Sequence, residues 1–262
     1  MDYFVWDIEP IAISAGFLKV RWYGLMFASA FISSYMLMTW IYKREGKSTE
    51  DVDDLLWYMA ISTIVGARLG HCLFYAPSYY FEHPLKIFAI WEGGLASHGA
   101  LLGIVVGLYL FQSRVKESFM WFLDRISVVC ALGGSFIRIG NFFNSEIVGV
   151  PTTVPWAIIF KKIDLLPRHP VQLYEAVSYA LIFIVLLQMY RTMQDRIRPG
   201  VIFASYLVMI FTARFFIEFV KTRQANYGHE SWLSTGQLLS IPLILAGLCF
   251  IVYPIFKKRT LI

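Results

Sequence analysis

One stretch of the sequence combines polar side chains whose types and spacing fit the binding of a phosphate group. "RIGNFFNSEIVG", residues 138–149, holds an arginine, amides, a carboxylate and two glycines. A guanidinium binds phosphate bidentately, amides complete the hydrogen bonds, and Gly140 and Gly149 let the backbone approach a ligand closely. The stretch therefore predicts a site for a phosphate-bearing headgroup. The alternative is an ordinary helix end with capping amides.

Further charged residues recur at helical spacing in apolar surroundings. Arg214 and Glu218 in "RFFIE" are four residues apart, so they share a helix face and can form an ion pair. Glu175 in "HPVQLYE" follows a proline suited to a helix start and can pair with an arginine of another helix. Arg68 and His71 in "ARLGH" form a further polar pair, for which helix packing and function are equally good explanations.

A histidine lies among small residues in "GGLASHGALLG", residues 93–103. Glycines and other small residues allow membrane helices to pack tightly, and a histidine there can be hydrogen-bonded across the helix contact. A neutral imidazole facing a cavity can instead accept a proton. Both interpretations of His98 stay open on these residues alone.

Composition and hydropathy indicate the elements that must position these residues. The chain has 262 residues, of which 58% are hydrophobic and 16% charged, with a mean hydropathy of +0.59, typical of an integral membrane protein. Apolar segments of membrane-spanning length lie at about 24–42, 55–75, 87–111, 121–140, 171–190, 200–220 and 236–256. An arginine at bilayer mid-depth costs about 2.5–3.5 kcal/mol, so the charged residues within these segments are expected to face a cavity or one another.

The predicted fold is an all-α integral membrane protein, a bundle of seven transmembrane helices forming one domain over 1–262. Residues 1–20 form an N-terminal interfacial arm, and residues 141–170 form a small periplasmic head between spans four and five. Prolines and β-branched residues exclude a continuous helix from the head and favour two short strands. Under seven spans the basic segments 42–47, 191–198 and 257–259 share one side, which the positive-inside rule makes cytoplasmic.

This topology puts the N-terminus in the periplasm and the C-terminus in the cytoplasm. Some basic residues, Lys221 among them, fall on the opposite side, so either the topology is insecure or those charges serve function. The three cysteines lie far apart and form no C-x-x-C pair, which argues against a zinc site or a disulfide framework. We therefore expect no metal.

Taken in order, the motifs resemble those of the prolipoprotein diacylglyceryl transferase family of bacterial membrane enzymes. The resemblance is carried by "RWYGLM" (21–26), "GGLASHGALLG" (93–103), "RIGNFFNSEIVG" (138–149), "RHPVQLYE" (168–175) and "RFFIEF" (214–219). The family signature, Gly-Arg-x-Gly/Ala-Asn-Phe-x-Asn-x-Glu-x-x-Gly, is filled from Arg138 to Gly149, except that Ile137 replaces its first glycine. This resemblance implies a functional set of eight residues: Tyr23, His98, Arg138, Asn141, Glu146, Gly149, Arg214 and Glu218. We expect His98, Arg138 and Arg214 to be catalytic, and Tyr23, Asn141, Asn144, Glu146, Gly149 and Glu218 to bind the substrate.

The resemblance implies a reaction in the bacterial inner membrane. The diacylglyceryl group of phosphatidylglycerol passes to the lipobox cysteine thiol of a prolipoprotein signal peptide, and glycerol 1-phosphate is released. No cofactor and no nucleic-acid partner are expected. From the residues alone, a transporter or channel for an anionic solute and a lipid-binding scaffold without turnover remain alternatives. A transporter predicts interrupted helices in two related halves, whereas a lipid enzyme predicts a chamber open to the bilayer.

Overall fold

The computed structural model describes residues 3–15, 18–75, 77–90, 94, 96–193, 198–222 and 232–259. The helices are α1 (Trp22–Arg44), α2 (Glu50–Phe74), α3 (Pro77–Glu82), α4 (Ser97–Arg114), α5 (Phe119–Phe143), α6 (Val171–Met193), α7 (Val201–Ile217) and α8 (Thr235–Arg259). The strands are β1 (Phe4–Trp6), β2 (Ile11–Ala15), β3 (Leu18–Arg21), β4 (Ile158–Phe160) and β5 (Pro167–Arg168). Short 3₁₀ turns cover Pro84–Phe88 and Glu218–Val220.

The chain divides into two compact units, which are described separately. The larger unit combines residues 1–37 with 123–262, and the smaller unit holds residues 38–122. The divisions fall within α1 and α5. The larger unit contains all of the "RIGNFFNSEIVG" stretch and both "RHPVQLYE" and "RFFIEF", whereas the smaller unit contains "GGLASHGALLG".

Small sheets and an aromatic core organise the non-helical part of the larger unit. β1 runs parallel to β4, which pairs antiparallel with β5, and β2 and β3 form a separate antiparallel pair. The buried core beneath the three-stranded sheet consists of Trp6, Phe142, Val148, Ile158 and Phe160. The rings of Trp6 and Phe142 lie 4.2 Å apart, which fastens the N-terminal strand to the end of α5.

Glycines bring two helices of the smaller unit into backbone contact. A Cβ atom added at Gly66 of α2 would lie 2.7 Å from the Cα of Gly103 in α4, and one at Gly70 would lie 2.8 Å from the Cα of Gly99. Close approach through small residues is the usual basis of helix packing in membranes. The tight packing expected for "GGLASHGALLG" is confirmed for the pair α2 and α4.

Five helices have the length and apolar composition of membrane spans among the described residues. They are Trp22–Arg44, Phe119–Phe143, Val171–Thr192, Val201–Val220 and Thr235–Tyr253. These helices agree with five of the seven predicted segments. The predicted segment 55–75 coincides with α2 up to its last helical residue, Phe74. The first turn of α2 carries Glu50, Asp51 and Asp53. The chain is thus a helical membrane protein.

Two parts of the predicted fold differ from the structure. The segment 87–111 is not one helix, because a 3₁₀ turn ends at Phe88 and α4 begins only at Ser97. The description as all-α omits the two sheets, which recruit β1 to β3 from residues 1–21. The two strands expected within 141–170 are confirmed as β4 and β5, although α5 continues to Phe143 and so takes in the start of that segment.

Candidate active site

Polar contacts connect α5, α6 and the end of α7 in the larger unit. We call this group of residues the charged network; its members are Arg138, Asn141, Asn144, Glu146, Glu175, Glu218 and Lys221. Each member contacts at least one other member, so the network links α5, the segment after α5, α6 and the turn that follows α7.

The centre of the charged network is the carboxylate of Glu175. Its Oε2 lies 2.8 Å from Arg138 Nε, and its Oε1 lies 3.2 Å from Lys221 Nζ. The Glu175 side chain has no exposed surface and that of Lys221 is 4% exposed. A buried carboxylate is costly unless it is paired, and here each oxygen faces one cation. The predicted pairing of Glu175 with an arginine of the bundle is confirmed.

The second part of the charged network surrounds the carboxylate of Glu146. Arg138 donates to Asn141 Oδ1 at 3.3 Å, and Asn141 donates onward to Glu146 Oε2 at 3.2 Å. Asn144 donates to the other oxygen, Oε1, at 2.8 Å. The amides therefore fix the carboxylate while Glu146 itself stays exposed, accessible to a ligand.

Backbone conformation on both sides of Glu146 is unusual. Ser145 and Ile147 have φ values of 55° and 56°, in a region that β-branched side chains rarely adopt. Gln172 of α6 donates to the Glu146 carbonyl at 2.6 Å, which helps to hold the turn. Strained backbone of this kind is concentrated at functional sites, and its position matches the stretch that the sequence singled out.

Gly149 lies where three chain segments meet. Its N–H donates to the His169 carbonyl at 3.0 Å, and it forms a bridge with Lys221. A Cβ atom at Gly149 would lie 2.5 Å from His169 Cβ and 2.7 Å from the Val220 carbonyl oxygen. The glycine is thus explained by backbone packing beside the charged network.

Arg214 and Glu218 are arranged differently from the predicted ion pair. α7 ends at Ile217 and Glu218 begins the 3₁₀ turn. Both residues are described, and no ion pair joins them; the Glu218 carboxylate instead lies 3.6 Å from Lys221 Nζ. The predicted pairing does not form although the Glu218 N–H still donates to the Arg214 carbonyl, because the Glu218 carboxylate faces Lys221 instead. Gly236 packs against this carboxylate at the start of α8.

Tyr179 lies close to the two arginines that were expected to be catalytic. It is buried on α6, and the charges of Arg138 and Arg214 both act on its phenol. The predicted residues Arg138 and Arg214 therefore come near the same phenol. The sequence analysis did not single out Tyr179, although it lies one helical turn after Glu175 on the same face.

Tyr23 lies in the first turn of α1, beside α5. Its ring stacks on Phe27 with centroids 6.4 Å apart, and a Cβ at Gly140 would lie 3.0 Å from the Tyr23 ring. Gly140 thus permits a close approach of α1 to α5, two residues beyond Arg138. Tyr23 therefore lies beside the part of α5 that follows Arg138.

His98 belongs to the first turn of α4 in the smaller unit. Its side chain lies outside the described part of the chain, so its role as a base stays a prediction. Nearby, Arg68 is buried and donates to three carbonyls, those of Lys86, Ile87 and Gly94. Arg68 therefore holds the segment before α4, and the helix-packing explanation is the one its contacts support.

The short strands beside the site carry their own charge pair. Arg168 donates to the Asp164 carboxylate and, at 3.1 Å, to the Gly149 carbonyl. The Arg168 guanidinium lowers the pKa of the Asp164 carboxyl, while burial lowers the pKa of the neighbouring His169 imidazole. At neutral pH, Asp164 and Arg168 thus form an ion pair that ties β5 to Gly149.

Comparison with known sequences identifies the protein family to which this chain is similar. The sequence profile of the family "Prolipoprotein diacylglyceryl transferase" matches residues 10–253. A phosphatidylglycerol–prolipoprotein diacylglyceryl transferase of Chloroherpeton thalassium is 48% identical over 95% of this chain and 94% of its own length. Proteins of the same name from Tolumonas auensis (48% identical, 97% of this chain, 98% of its own length) and Bacteroides fragilis (36%, 97% and 96%) are similar.

Fold and site together define a helical membrane protein with a buried network of guanidinium, ammonium and carboxylate groups. The chain belongs to the prolipoprotein diacylglyceryl transferase family and is a transferase. This membership favours an enzyme over a transporter or a lipid-binding scaffold without turnover.

Proposed function

We propose that the protein transfers the diacylglyceryl group of phosphatidylglycerol to the lipobox cysteine of prolipoprotein signal peptides in the bacterial inner membrane. The cysteine sulfur attacks the diacylglycerol carbon that bears the phosphate ester. An S–C bond forms, the C–O bond breaks, and its electron pair leaves with glycerol 1-phosphate. The thiol proton passes to a base. Family membership supports the reaction, and the charged network supports the roles below.

The observation that carries this proposal is the placement of Arg138. Arg138 lies near the end of the membrane-spanning helix α5. Two side chains hold its guanidinium, Glu175 at 2.8 Å and Asn141 at 3.3 Å. A fixed guanidinium stabilises the charge that grows on a leaving phosphate. Arg214, whose charge also acts on Tyr179, is the second cation of this proposal.

Asn141, Asn144 and Glu146 orient the glycerol headgroup in this proposal, since a carboxylate fixed by two amides can accept hydrogen bonds from hydroxyl groups. Gly149 and Tyr23 line the proposed headgroup site, and the Glu218 carboxylate positions the Lys221 amine. His98 accepts the thiol proton. A base is needed because a thiol with an ordinary pKa of about 8.5 is only about one-tenth ionised at pH 7.5.

The proposed topology has seven spans, with α2 and α4 crossing in addition to the five helices of sufficient length and composition. The N-terminus and the head between α5 and α6 lie in the periplasm, and the C-terminus lies in the cytoplasm. The basic segments at 42–47, 191–198 and 257–259 support this orientation.

The purified protein is tested with phosphatidylglycerol vesicles and a lipobox peptide. The expected product is the peptide with the added mass of one diacylglyceryl group, and a peptide with alanine for cysteine serves as the control. No mass increase from the cysteine peptide would refute the proposed function.

Arg138→Ala is expected to lower the transfer rate by about 10²–10³, the effect of removing one charged transition-state stabiliser, while protein still accumulates in the membrane. Arg114→Ala is the matched control, because Arg114 is exposed and pairs at 2.8 Å with Asp54 on the surface of the smaller unit. A rate for Arg138→Ala equal to that of Arg114→Ala would remove Arg138 from the mechanism.

A further inference from the structure

Lys221 is a buried amine between two carboxylates. Its Nζ lies 3.2 Å from Glu175 and 3.6 Å from Glu218, and its side chain is almost wholly enclosed. No family motif quoted above includes this residue. A lysine loses much solvation when it is buried, so its position calls for a specific interaction that offsets the cost.

The chain holds the Lys221 backbone from both sides. The residues on either side of it are hydrogen-bonded to the segment after α5: Val150 donates to the Val220 carbonyl at 2.9 Å, and Thr222 donates to the Val148 carbonyl at 3.1 Å. These bonds fix the backbone position of Lys221 relative to Gly149. The segment after α5 thus holds Lys221 where its amine reaches Glu175.

The charges show what the amine does for Arg138. Arg138 and Lys221 carry two positive charges, and Glu175 and Glu218 carry two negative charges, so these four side chains together are neutral. Without Lys221 the group would have a net charge of −1, and Glu175 would be neutralised by Arg138 alone. A guanidinium whose charge is already compensated by a carboxylate attracts phosphate less strongly, and in a site of low dielectric this difference is large.

We infer that Lys221 is a positioning residue of the transfer reaction. It neutralises Glu175, so that the charge of Arg138 remains available to the phosphate group of the lipid. Glu175 in turn serves as the shared anchor that fixes both cations. This inference rests on the proposed function and adds to it two residues, Lys221 and Glu175, that act through Arg138.

The inference is tested by the kinetics of four variants of the full-length protein in phosphatidylglycerol vesicles. Lys221→Met removes the charge at similar length and is expected to lower kcat about 100-fold. KM should stay within about threefold of the wild type, because the phosphate is already singly charged in the bound lipid and its second charge develops only in the transition state. Lys221→Arg keeps the charge and is expected to stay within about tenfold of the wild-type kcat. Lys116→Met, at an exposed lysine, is the matched control and should match the wild type.

The fourth variant combines Lys221→Met with Glu175→Gln. A glutamine oxygen still accepts from Arg138 but carries no charge, so the free charge of Arg138 is restored. The kcat of this double variant is expected to be at least tenfold higher than that of Lys221→Met alone. The unfolding temperature of each variant in detergent identifies any loss due to misfolding, in which case Lys221→Arg and the double variant decide the outcome.

The outcomes separate the two proposals. An inactive wild type overturns the proposed function, and the inference with it. An active wild type together with an unimpaired Lys221→Met overturns the inference alone. A loss in Lys221→Met that Glu175→Gln does not repair also overturns it, because that result assigns Lys221 to packing.

Discussion

At the scale of single residues, Arg138 is oriented before any ligand arrives. Glu175 and Asn141 hold it from two sides, and both partners lie in or next to well-packed helices. A preorganised cation does not have to reorient as charge develops, which is the main advantage of a protein site over water. The same logic explains why Asn141 and Asn144 both serve one carboxylate.

The thiol base is the residue-scale assignment that kinetics can decide. His98→Gln is expected to lower the transfer rate most at pH 6 to 7.5, where the peptide thiol is largely protonated. The defect should shrink above pH 8.5, because the thiol then ionises without help. The transfer rate is measured across this range with the lipobox peptide.

His83→Gln, which changes an exposed histidine of the same unit, is the control for this profile. A His98→Gln defect that is equal at every pH would assign His98 to binding or packing, and an unchanged rate would remove it from the reaction altogether.

Residue types predicted much of this site. An arginine, amides and a carboxylate in one short apolar stretch identified Arg138, Asn141 and Glu146 as a group, and their contacts bear that grouping out. From the sequence, Lys221 stood out only as a basic residue on the predicted periplasmic side, where the positive-inside rule expects few. Its two carboxylate partners come from α6 and from its own 3₁₀ turn, and no local pattern encodes contacts between residues 46 positions apart.

At the scale of elements, Gly149 allows three segments to meet. Gly149→Ala is expected to lower the unfolding temperature by several degrees, because the added Cβ would lie 2.5 Å from the His169 carbonyl oxygen and overpacking costs about 1–3 kcal/mol. Transfer activity should fall with it, since Lys221 is bridged to the same residue. Thermal unfolding in detergent and the transfer assay measure the two effects.

Gly24→Ala is the matched control, because no atom lies within 4 Å of a Cβ built there and alanine favours a helix over glycine. Equal unfolding temperatures for the two variants would contradict the close approach seen at Gly149.

The ion pair between β5 and the loop before it predicts a dependence on pH. The pKa of the Asp164 carboxyl is lowered by Arg168, so the pair stabilises the fold above the ordinary pKa of 3.8 and the contribution is lost as the pH falls through the lowered value. Asp164→Asn is therefore expected to lower the unfolding temperature at pH 7 by about 1–3 °C, the modest effect of a partly exposed pair. The difference should be smaller at pH 2 than at pH 7, since protonation of Asp164 removes the pair.

Thermal unfolding followed by tryptophan fluorescence at both pH values measures this effect. Glu9→Gln, at an exposed carboxylate of the same unit, should be silent. The same shift for Asp164→Asn at both pH values would contradict a role for the charge.

Element boundaries were harder to predict than element types. Residues 87–111 are almost uniformly apolar, so hydropathy alone favours one helix. Gly94 has a φ of +72°, and Arg68 donates hydrogen bonds to backbone carbonyls between Lys86 and Gly94. A hydropathy profile detects neither feature. Together they explain why α4 begins only at Ser97. α5 likewise continues past its predicted end because Phe142 packs in the head core.

At the scale of the whole molecule, the count of spans is open to a direct test. The two segments that differ between five and seven spans, α2 and α4, are consecutive, so the orientation of all later helices is the same in both cases. Only the segment between α2 and α4 changes sides. With seven spans, a cysteine replacing Ser78 is expected to react with a membrane-impermeant maleimide added to intact cells whose outer membrane is permeabilised.

The native Cys72, Cys130 and Cys249 are first replaced by alanine. A cysteine replacing Thr153 in the head should react in every case, and one replacing Ser118, between α4 and α5, should stay unlabelled. Protection of the cysteine at position 78 would establish five spans and refute seven.

The parallel pairing of β1 with β4 has a consequence for how the protein is made. Phe4 is paired with Ile158, so the strand synthesised first finds its partner only after more than 150 further residues have been added. At about 5–20 residues per second, this takes roughly 8–30 s. Throughout this interval β1 presents unpaired backbone groups beside the apolar Phe4 and Val5. Biogenesis thus requires that the nascent N-terminus be kept from aggregating while the helices between its strands enter the bilayer.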